Sequence, residues 1–260
     1  MNKTPSDVVF DDLAERFSRK IYGSRKGDLR LTLLWDDLLK HIPSISSSNR
    51  LNVLDAGAGL GQMSIKFAQA GHCVTLCEPS KSMLGLARER INNCMPMQGM
   101  ITVSQSSIQT LDANNFTTNY DVIVCHAVLE WLAKPLPTLL ELLKQLKPGA
   151  YFSLAFYNRE SIVFKNLLKG NIRRAMSNKA GEEGGLTPPN PQSAPDVLAC
   201  LNEYGLCVIH VSGIRCLSDY LQSTTEISTE DLLMVERELG QKEPYKWLGR
   251  YIHVIAQRPN

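Results

Sequence analysis

Apolar positions recur at three- and four-residue spacing over residues 8–21 and 28–42, which predicts two helices separated by a glycine-containing break at 22–27. Residues 43–49, a proline followed mostly by serines, read as a linker, so the body of the fold is expected to start near residue 50. From there short apolar runs at 51–55, 73–78, 101–105, 120–125 and 151–157 predict strands, and the longer periodic stretches 62–70, 81–94 and 136–146 predict helices between them. The remainder predicts helices at 194–204 and 229–239 and strands at 206–211 and 250–257, seven strands in all. Strands that alternate with helices pair in parallel and are covered on both faces, so the expected class is α/β with a mostly parallel sheet. Residues 171–195 lose all apolar period and turn to Gly, Pro, Asn, Ser and charge, the composition of an inserted loop.

The chemistry concentrates where the first strand would meet a helix, in Asp55-Ala56-Gly57-Ala58-Gly59-Leu60-Gly61. Glycines there let the chain turn sharply and let a ligand approach the main chain. The spacing G-x-G-x-G differs from the G-x-G-x-x-G that seats a pyrophosphate, and the carboxylate of Asp55 would repel one. An acid suits a cationic or hydroxyl-rich ligand. Glu78 ends the second predicted strand, 21 residues after Gly57, where a carboxylate can accept bonds from both hydroxyls of a ribose. Asp55, the glycine turn and Glu78 together resemble the class I methyltransferases that use S-adenosyl-L-methionine, over residues 51–157. Ligands in such sheets lie at the carboxyl ends of the strands, which adds Ser106, Ser107 and Ile108 after the third strand and His126 after the fourth. His126 is expected to line the cofactor pocket, with general base or metal ligand as the alternative, and no second ligand stands at metal spacing.

Absences narrow the acceptor. The segment after the fourth strand reads His126-Ala127-Val128-Leu129-Glu130-Trp131, not the Asp/Asn-Pro-Pro-aromatic run used on exocyclic base nitrogens; Thr187-Pro188-Pro189-Asn190 lies in the insert. No cysteine follows a proline, as C5 methylation of pyrimidines commonly requires. Methylation of oxygen is the expectation. The seven cysteines form no C-x-x-C pair and read as buried thiols.

Further segments carry a more specific likeness. Residues 10–23, then Lys26-Gly27-Asp28-Leu29-Arg30, His126–Trp131, Phe156-Tyr157-Asn158 and 248–254 resemble the bacterial tRNA 5-carboxymethoxyuridine methyltransferases over nearly the whole chain, the insert excepted. The resemblance implies a Rossmann-like seven-stranded sheet whose last strand is antiparallel, N-terminal helices at 1–49 acting as a substrate-binding cap on a methyltransferase domain at 50–260, and methyl transfer to the carboxylate of the wobble 5-carboxymethoxyuridine. It implies cofactor contacts at Arg30, Gly57, Ala58, Glu78, Ser107, Ile108 and His126, to which the acid and glycines of the turn add Asp55 and Gly59, and a tRNA anticodon stem-loop as partner. Where relatives commonly carry Gly and Asp, this chain has Ala58 and Glu78.

Charge bears on that partner. Totals of 28 Lys+Arg and 26 Asp+Glu leave a net +2, which argues against a nucleic-acid packaging protein and gives no reason to expect DNA. Between residues 16 and 30, however, six basic residues face one acid, Asp28, and Lys165, Lys169, Arg173, Arg174 and Lys179 follow around the insert. Such clusters suit phosphates, and Tyr22 or Tyr157 could stack on a splayed base. Lys26, Arg215, Tyr220, Arg250 and Tyr251 complete the candidates for positioning a substrate. No run approaches the ~20 apolar residues of a membrane span, and residues 1–14 carry acids where a signal peptide would be basic then apolar, so a cytoplasmic enzyme is expected. A small-molecule methyltransferase, or a factor that holds the cofactor without transfer, are the competing readings.

Overall fold

The computed structural model describes residues 6–17, 23–94, 99–111, 120–177, 188–222 and 226–260, with the side chains of Leu13, Arg16 and Phe17 left aside. Tyr22, Arg19, Lys20 and Lys179 fall outside the described residues. In chain order the elements are α1 (Ala14–Phe17), α2 (Arg25–His41), β1 (Asn52–Ala56), α3 (Gln62–Gln69), β2 (Cys73–Cys77), α4 (Lys81–Asn93), β3 (Ile101–Ser104), β4 (Tyr120–His126), α5 (Pro135–Leu143), β5 (Leu146–Tyr157), α6 (Arg159–Leu168), α7 (Ile172–Ala175), α8 (Ala194–Glu203), β6 (Cys207–Ile214), α9 (Thr229–Leu239) and β7 (Tyr251–Gln257).

The strands form one sheet in the order β3-β2-β1-β4-β5-β7-β6, parallel from β3 through β5, with β7 antiparallel to both β5 and β6. The expected seven strands are all present. The order reverses at β1, and the carboxyl ends of β1 and β4 meet there, which is where an open α/β sheet leaves a crevice.

Alternation along each strand sorts side chains to two faces. On β7, Ile252, Val254 and Ala256 join the apolar core under α5 and α8, whereas Tyr251 and Ile255 join the core under α2, α3 and α9. On β5, Phe152, Leu154 and Phe156 take the first face, and Ala155 and Tyr157 the second. By the same parity Ser153, His253 and His126 fall on the face that α2 covers, so three polar side chains are threaded through an apolar layer. α2 begins at an N-cap Ser24, whose hydroxyl accepts from Gly27 N at 3.2 Å. It buries Leu29, Arg30, Leu33, Leu34, Asp37 and Leu38. Arg30 and Asp37, two turns apart, therefore lie on the same stripe.

Several expectations need correction. The first helix does not start at residue 8: Val8 N donates to Trp131 O at 2.9 Å, and helical turns begin only at Asp11. Residues 159–168, not assigned from the sequence, form α6, and the insert carries the short α7. The insert's end is also built into the fold, because Gln192 N donates to Tyr157 O and Arg159 N to Gln192 O. Cys207 is exposed rather than buried. Among the described residues no helix is long and apolar enough to cross a membrane.

Candidate active site

The turn after β1 is locked from both sides. Gly57 N and Ala58 N both donate to Cys77 O, at 2.9 and 3.0 Å, which ties the turn to the end of β2. Gly57 has φ +70°, and a Cβ there would lie 2.5 Å from Cγ2 of Val128, so the backbone must be bare at this point. The carboxylate of Asp55 accepts from Ser64 N at 3.0 Å and from Ser64 Oγ at 2.6 Å, holding the first turn of α3 against β1. Burial pushes its pKa up to about 6 against those two bonds. The carboxylate of Glu78 accepts from Gly59 N at 2.9 Å and Ser80 N at 3.0 Å, and burial raises its pKa too. Both acids thus brace the cleft as well as line it. Gly59 is buried behind the turn, its amide committed to Glu78.

Two hollows open on this turn and share Gly57 and Ala127. One is lined by Glu78, Ser107, Ile108, Val8, Phe10 and Trp131 among others, a mostly apolar slot with two carboxylates, Glu78 and Asp7, in its wall. Its far wall is a strap the sequence reading missed. Asp7 accepts from Ala133 N and from Gln109 Nε2, both at 2.8 Å, and Asp11 accepts from Ser80 Oγ at 2.8 Å and Ser82 N at 3.1 Å. Phe10 packs edge-on against Trp131 at 4.7 Å between ring centroids. Two acids four residues apart, flanking an aromatic, were the available signal. The second hollow is lined by Arg30, Asp55, Gly57, Ala58, His126 and Tyr251 among others. Ala127, between the two, has φ +60°, a strained value for a residue with a Cβ, and such strain gathers at functional sites.

Beyond Tyr251 the remaining described candidates converge on a residue the sequence did not single out. Asp219, nearly buried, pairs with Lys26 Nζ at 3.0 Å and with Arg215, and lies 3.8 Å from both Lys165 Nζ and Arg250 Nε. Burial alone would raise its pKa, but Arg215, Arg250 and Lys26 outweigh that and hold it down to about 2. Four cations thus gather on one carboxylate. Burial and the neighbouring Arg250 push Lys165 down to about 8, the response of an ammonium crowded by like charge. The aromatic floor is Tyr157 and Tyr251, edge to face at 5.4 Å, with Arg250 4.9 Å above the first ring and Arg30 5.2 Å above the second. Arg30 also donates to Tyr251 Oη at 3.2 Å. Tyr220 donates to Leu248 O at 2.7 Å, so its hydroxyl props the loop before β7. Next to this floor Tyr157, Lys165, Lys169, Arg174 and Arg250 line an open basic hollow.

Glu130 stands apart. It is fully buried, and neither carboxylate oxygen has a hydrogen-bond partner among the described residues. Burial raises its pKa to about 7, while the amides of Glu130 and Tyr157 and the charge of Arg30 pull the other way. The unfolded chain gives up this proton near the ordinary Glu value of about 4.3, so the fold loses stability as pH rises from there to about 7. Glu130→Gln should therefore melt higher than wild type at pH 8 and lose that advantage at pH 5, as thermal unfolding at the two pH values would measure.

A sheet in this order, with the glycine turn and a second-strand acid at its reversal, is the architecture of the class I methyltransferases, and residues 54–154 match the methyltransferase domain model. The chain is 37% identical over 258 residues to the tRNA 5-carboxymethoxyuridine methyltransferase of Escherichia coli K12, covering 97% of each chain, and it belongs to that family. The ubiquinone biosynthesis O-methyltransferase of Vibrio parahaemolyticus is 32% identical over 107 residues, 41% of this chain and 44% of that protein. Among solved structures, the magnesium protoporphyrin IX methyltransferase of Synechocystis, determined with bound SAH, superposes with a TM-score of 0.65 at 16% identity over 96% of both chains.

Proposed function

We propose that this enzyme transfers the methyl group of S-adenosyl-L-methionine to the carboxylate of 5-carboxymethoxyuridine at the wobble position of tRNA, forming the methyl ester, on an anticodon stem-loop in the cytoplasm. The observation that carries the reading is the gathering of Lys26, Lys165, Arg215 and Arg250 on Asp219, beside the Tyr157–Tyr251 floor. It occurs in a chain that matches the E. coli enzyme from end to end.

The cleft suits the cofactor in its donor and acceptor set. Glu78 would accept from ribose hydroxyls, Ser107 and Ile108 would flank the adenine, and the bare backbone at Gly57 admits close approach. Arg30 is placed for the amino-acid carboxylate. When bound, the cofactor supplies an electrophilic methyl group. The acceptor needs no general base, because an alkoxyacetic carboxylate, with a pKa of about 4, is already ionised at pH 7. What the chain supplies is alignment and exclusion of water, worth up to several kcal/mol when two reactants are held in an attack geometry. Arg215 or Arg250 holds the oxygen that does not react, and Asp219 tempers their charge so that the carboxylate remains a nucleophile. The Tyr157 phenol, its pKa raised by burial, stays neutral and serves as a stacking surface. Lys169 and Arg174 line the hollow that a loop phosphate would occupy.

The decisive measurement is nucleoside mass spectrometry of tRNA from cells lacking the protein. Accumulation of the free acid at the wobble uridine, reversed when purified enzyme and cofactor are added, is the expected result. Unchanged ester, or methyl transfer to a metabolite without RNA, would overturn the reading.

A further inference from the structure

A line of hydrogen bonds runs from α2 through the sheet to the cleft. The Asp37 carboxylate contacts His253 Nδ1 at 2.9 Å, His253 Nε2 contacts Ser153 Oγ at 2.8 Å, and Ser153 Oγ contacts His126 Nε2 at 2.8 Å. Asp37 is nearly buried, and His253 and Ser153 completely so. At its outer end Asp37 faces a separate hollow with Asp36, Lys40, Arg237 and Gln241, so the line joins two cavities. At its inner end His126 lines the cleft, and its Nδ1 is buried with no partner among the described residues.

Donor and acceptor counting, with each imidazole taken as neutral, fixes the protons. Asp37 also accepts from Ser212 Oγ at 2.5 Å and Gln241 Nε2 at 3.0 Å, and its oxygen Oδ1 lies 3.4 Å from His210 Nε2. Burial would raise its pKa, but the bonds from His210 and His253 outweigh it and keep the carboxylate ionised, an acceptor only. His253 Nδ1 must then carry hydrogen. With one proton on that ring, its Nε2 is a lone pair and takes the hydrogen of Ser153. A serine has one hydrogen, so its oxygen faces His126 as an acceptor, and His126 Nε2 must donate. That leaves His126 Nδ1 as a bare lone pair. Burial foremost, and the charge of Arg30 with it, disfavour a second proton on that ring.

An unmet buried acceptor is costly, so one fixed beside a ligand cleft suits a donor on the ligand. We propose that Asp37, His253 and Ser153 form a positioning relay that sets the tautomer of His126, leaving its Nδ1 to accept a hydrogen bond from the α-ammonium group of the cofactor. Arg30 suits the carboxylate of that amino acid, and the two side chains line the same hollow, so ammonium and carboxylate are read together. Because the esterified carboxylate releases no proton, the relay has nothing to carry during transfer, and its product is a fixed polarity in the wall of the cleft. The inference rests on the cofactor and not on the RNA substrate, and it is tested without RNA.

The probes are S-adenosylhomocysteine, which carries the ammonium, and 5′-methylthioadenosine, which lacks the amino-acid portion. In protein labelled with 15N-histidine, long-range proton–nitrogen spectra should show His126 with hydrogen on Nε2 and none on Nδ1. The Nδ1 resonance should move with S-adenosylhomocysteine and stay with 5′-methylthioadenosine. By calorimetry Ser153→Ala should weaken S-adenosylhomocysteine roughly 3- to 15-fold, the loss of one hydrogen bond, and leave 5′-methylthioadenosine unchanged, while Ser153→Thr keeps the hydroxyl and restores affinity. A proton found on Nδ1, an Nδ1 resonance unmoved by the first ligand, or equal weakening of both ligands in Ser153→Ala would overturn the proposal. Should Ser153→Ala not fold, the spectra of the unaltered protein still decide.

Discussion

Arg215→Met and Arg250→Met should each lower kcat/KM for tRNA by about 10- to 150-fold while changing the dissociation constant of S-adenosylmethionine less than about twofold. The range is the roughly 1.5–3 kcal/mol of one charge-assisted hydrogen bond, read as transition-state stabilisation. Methionine keeps an unbranched apolar side chain and removes the guanidinium, which in Arg215 lies over the Tyr251 ring and in Arg250 over the Tyr157 ring, so a loss reports the charged head. The two effects should not add. Both side chains face Asp219, and removing both leaves that buried carboxylate to Lys26 and Lys165, an arrangement that costs stability of its own. Asp219→Asn in the doubly substituted background separates these contributions: melting temperature should recover and methyl transfer should not. If transfer recovered with it, the arginines would be serving the fold alone. Steady-state kinetics on tRNA bearing the free acid, alongside calorimetry with the cofactor, makes the measurement.

The contrast between Asp219 and Glu78 shows what the sequence could disclose. Asp55, Gly57 and Glu78 are legible because their role depends on position relative to a strand end, and a strand end is a local property of apolar pattern and glycine. His126 is legible for the same reason. Asp219 is not, since its meaning comes from Lys26, 193 residues away, and from cations on α6 and just before β7. Lys26, Arg215 and Arg250 could be read as substrate residues, but not that one carboxylate gathers them. Asp37, Ser153 and His253 were hidden differently. Each interrupts an otherwise apolar face, and only the pairing of β5 with β7 and the packing of α2 across them shows that the interruptions meet. The end of the insert escaped because Gln192 is tied by backbone bonds to Tyr157 and Arg159, with Pro188 and Pro191 also buried, and such bonds leave no period in the sequence. The 1–49 division, drawn at a serine-rich linker, follows composition, and α2 within it packs on the same sheet face as α3 and α9.

Glu78 carries the other large effect, and the structure changes how its loss should look. A ribose acid alone would cost cofactor affinity. Glu78 also receives Gly59 N and Ser80 N, so Glu78→Ala removes the acceptor for two buried amides and loosens the glycine turn and the start of α4 together. Cofactor affinity should fall about 10- to 150-fold, the range of a charge-assisted hydrogen bond, accompanied by a lower melting temperature. Glu78→Asp keeps the carboxylate and should stay within about fivefold of wild type. The pH dependence has a definite sign. Burial raises the pKa of Glu78 in the free enzyme, and Asp55 is pushed up to about 6 beside it. Ribose hydroxyls donate more strongly to the ionised form, and a cationic ligand favours ionised acids, so binding tightens as pH rises through these values. Calorimetric titration with S-adenosylmethionine from pH 5 to 8 should show affinity increasing and then levelling. In Glu78→Gln the weaker residual slope should belong to Asp55, and an unaltered pH profile in that variant would remove Glu78 from the binding site.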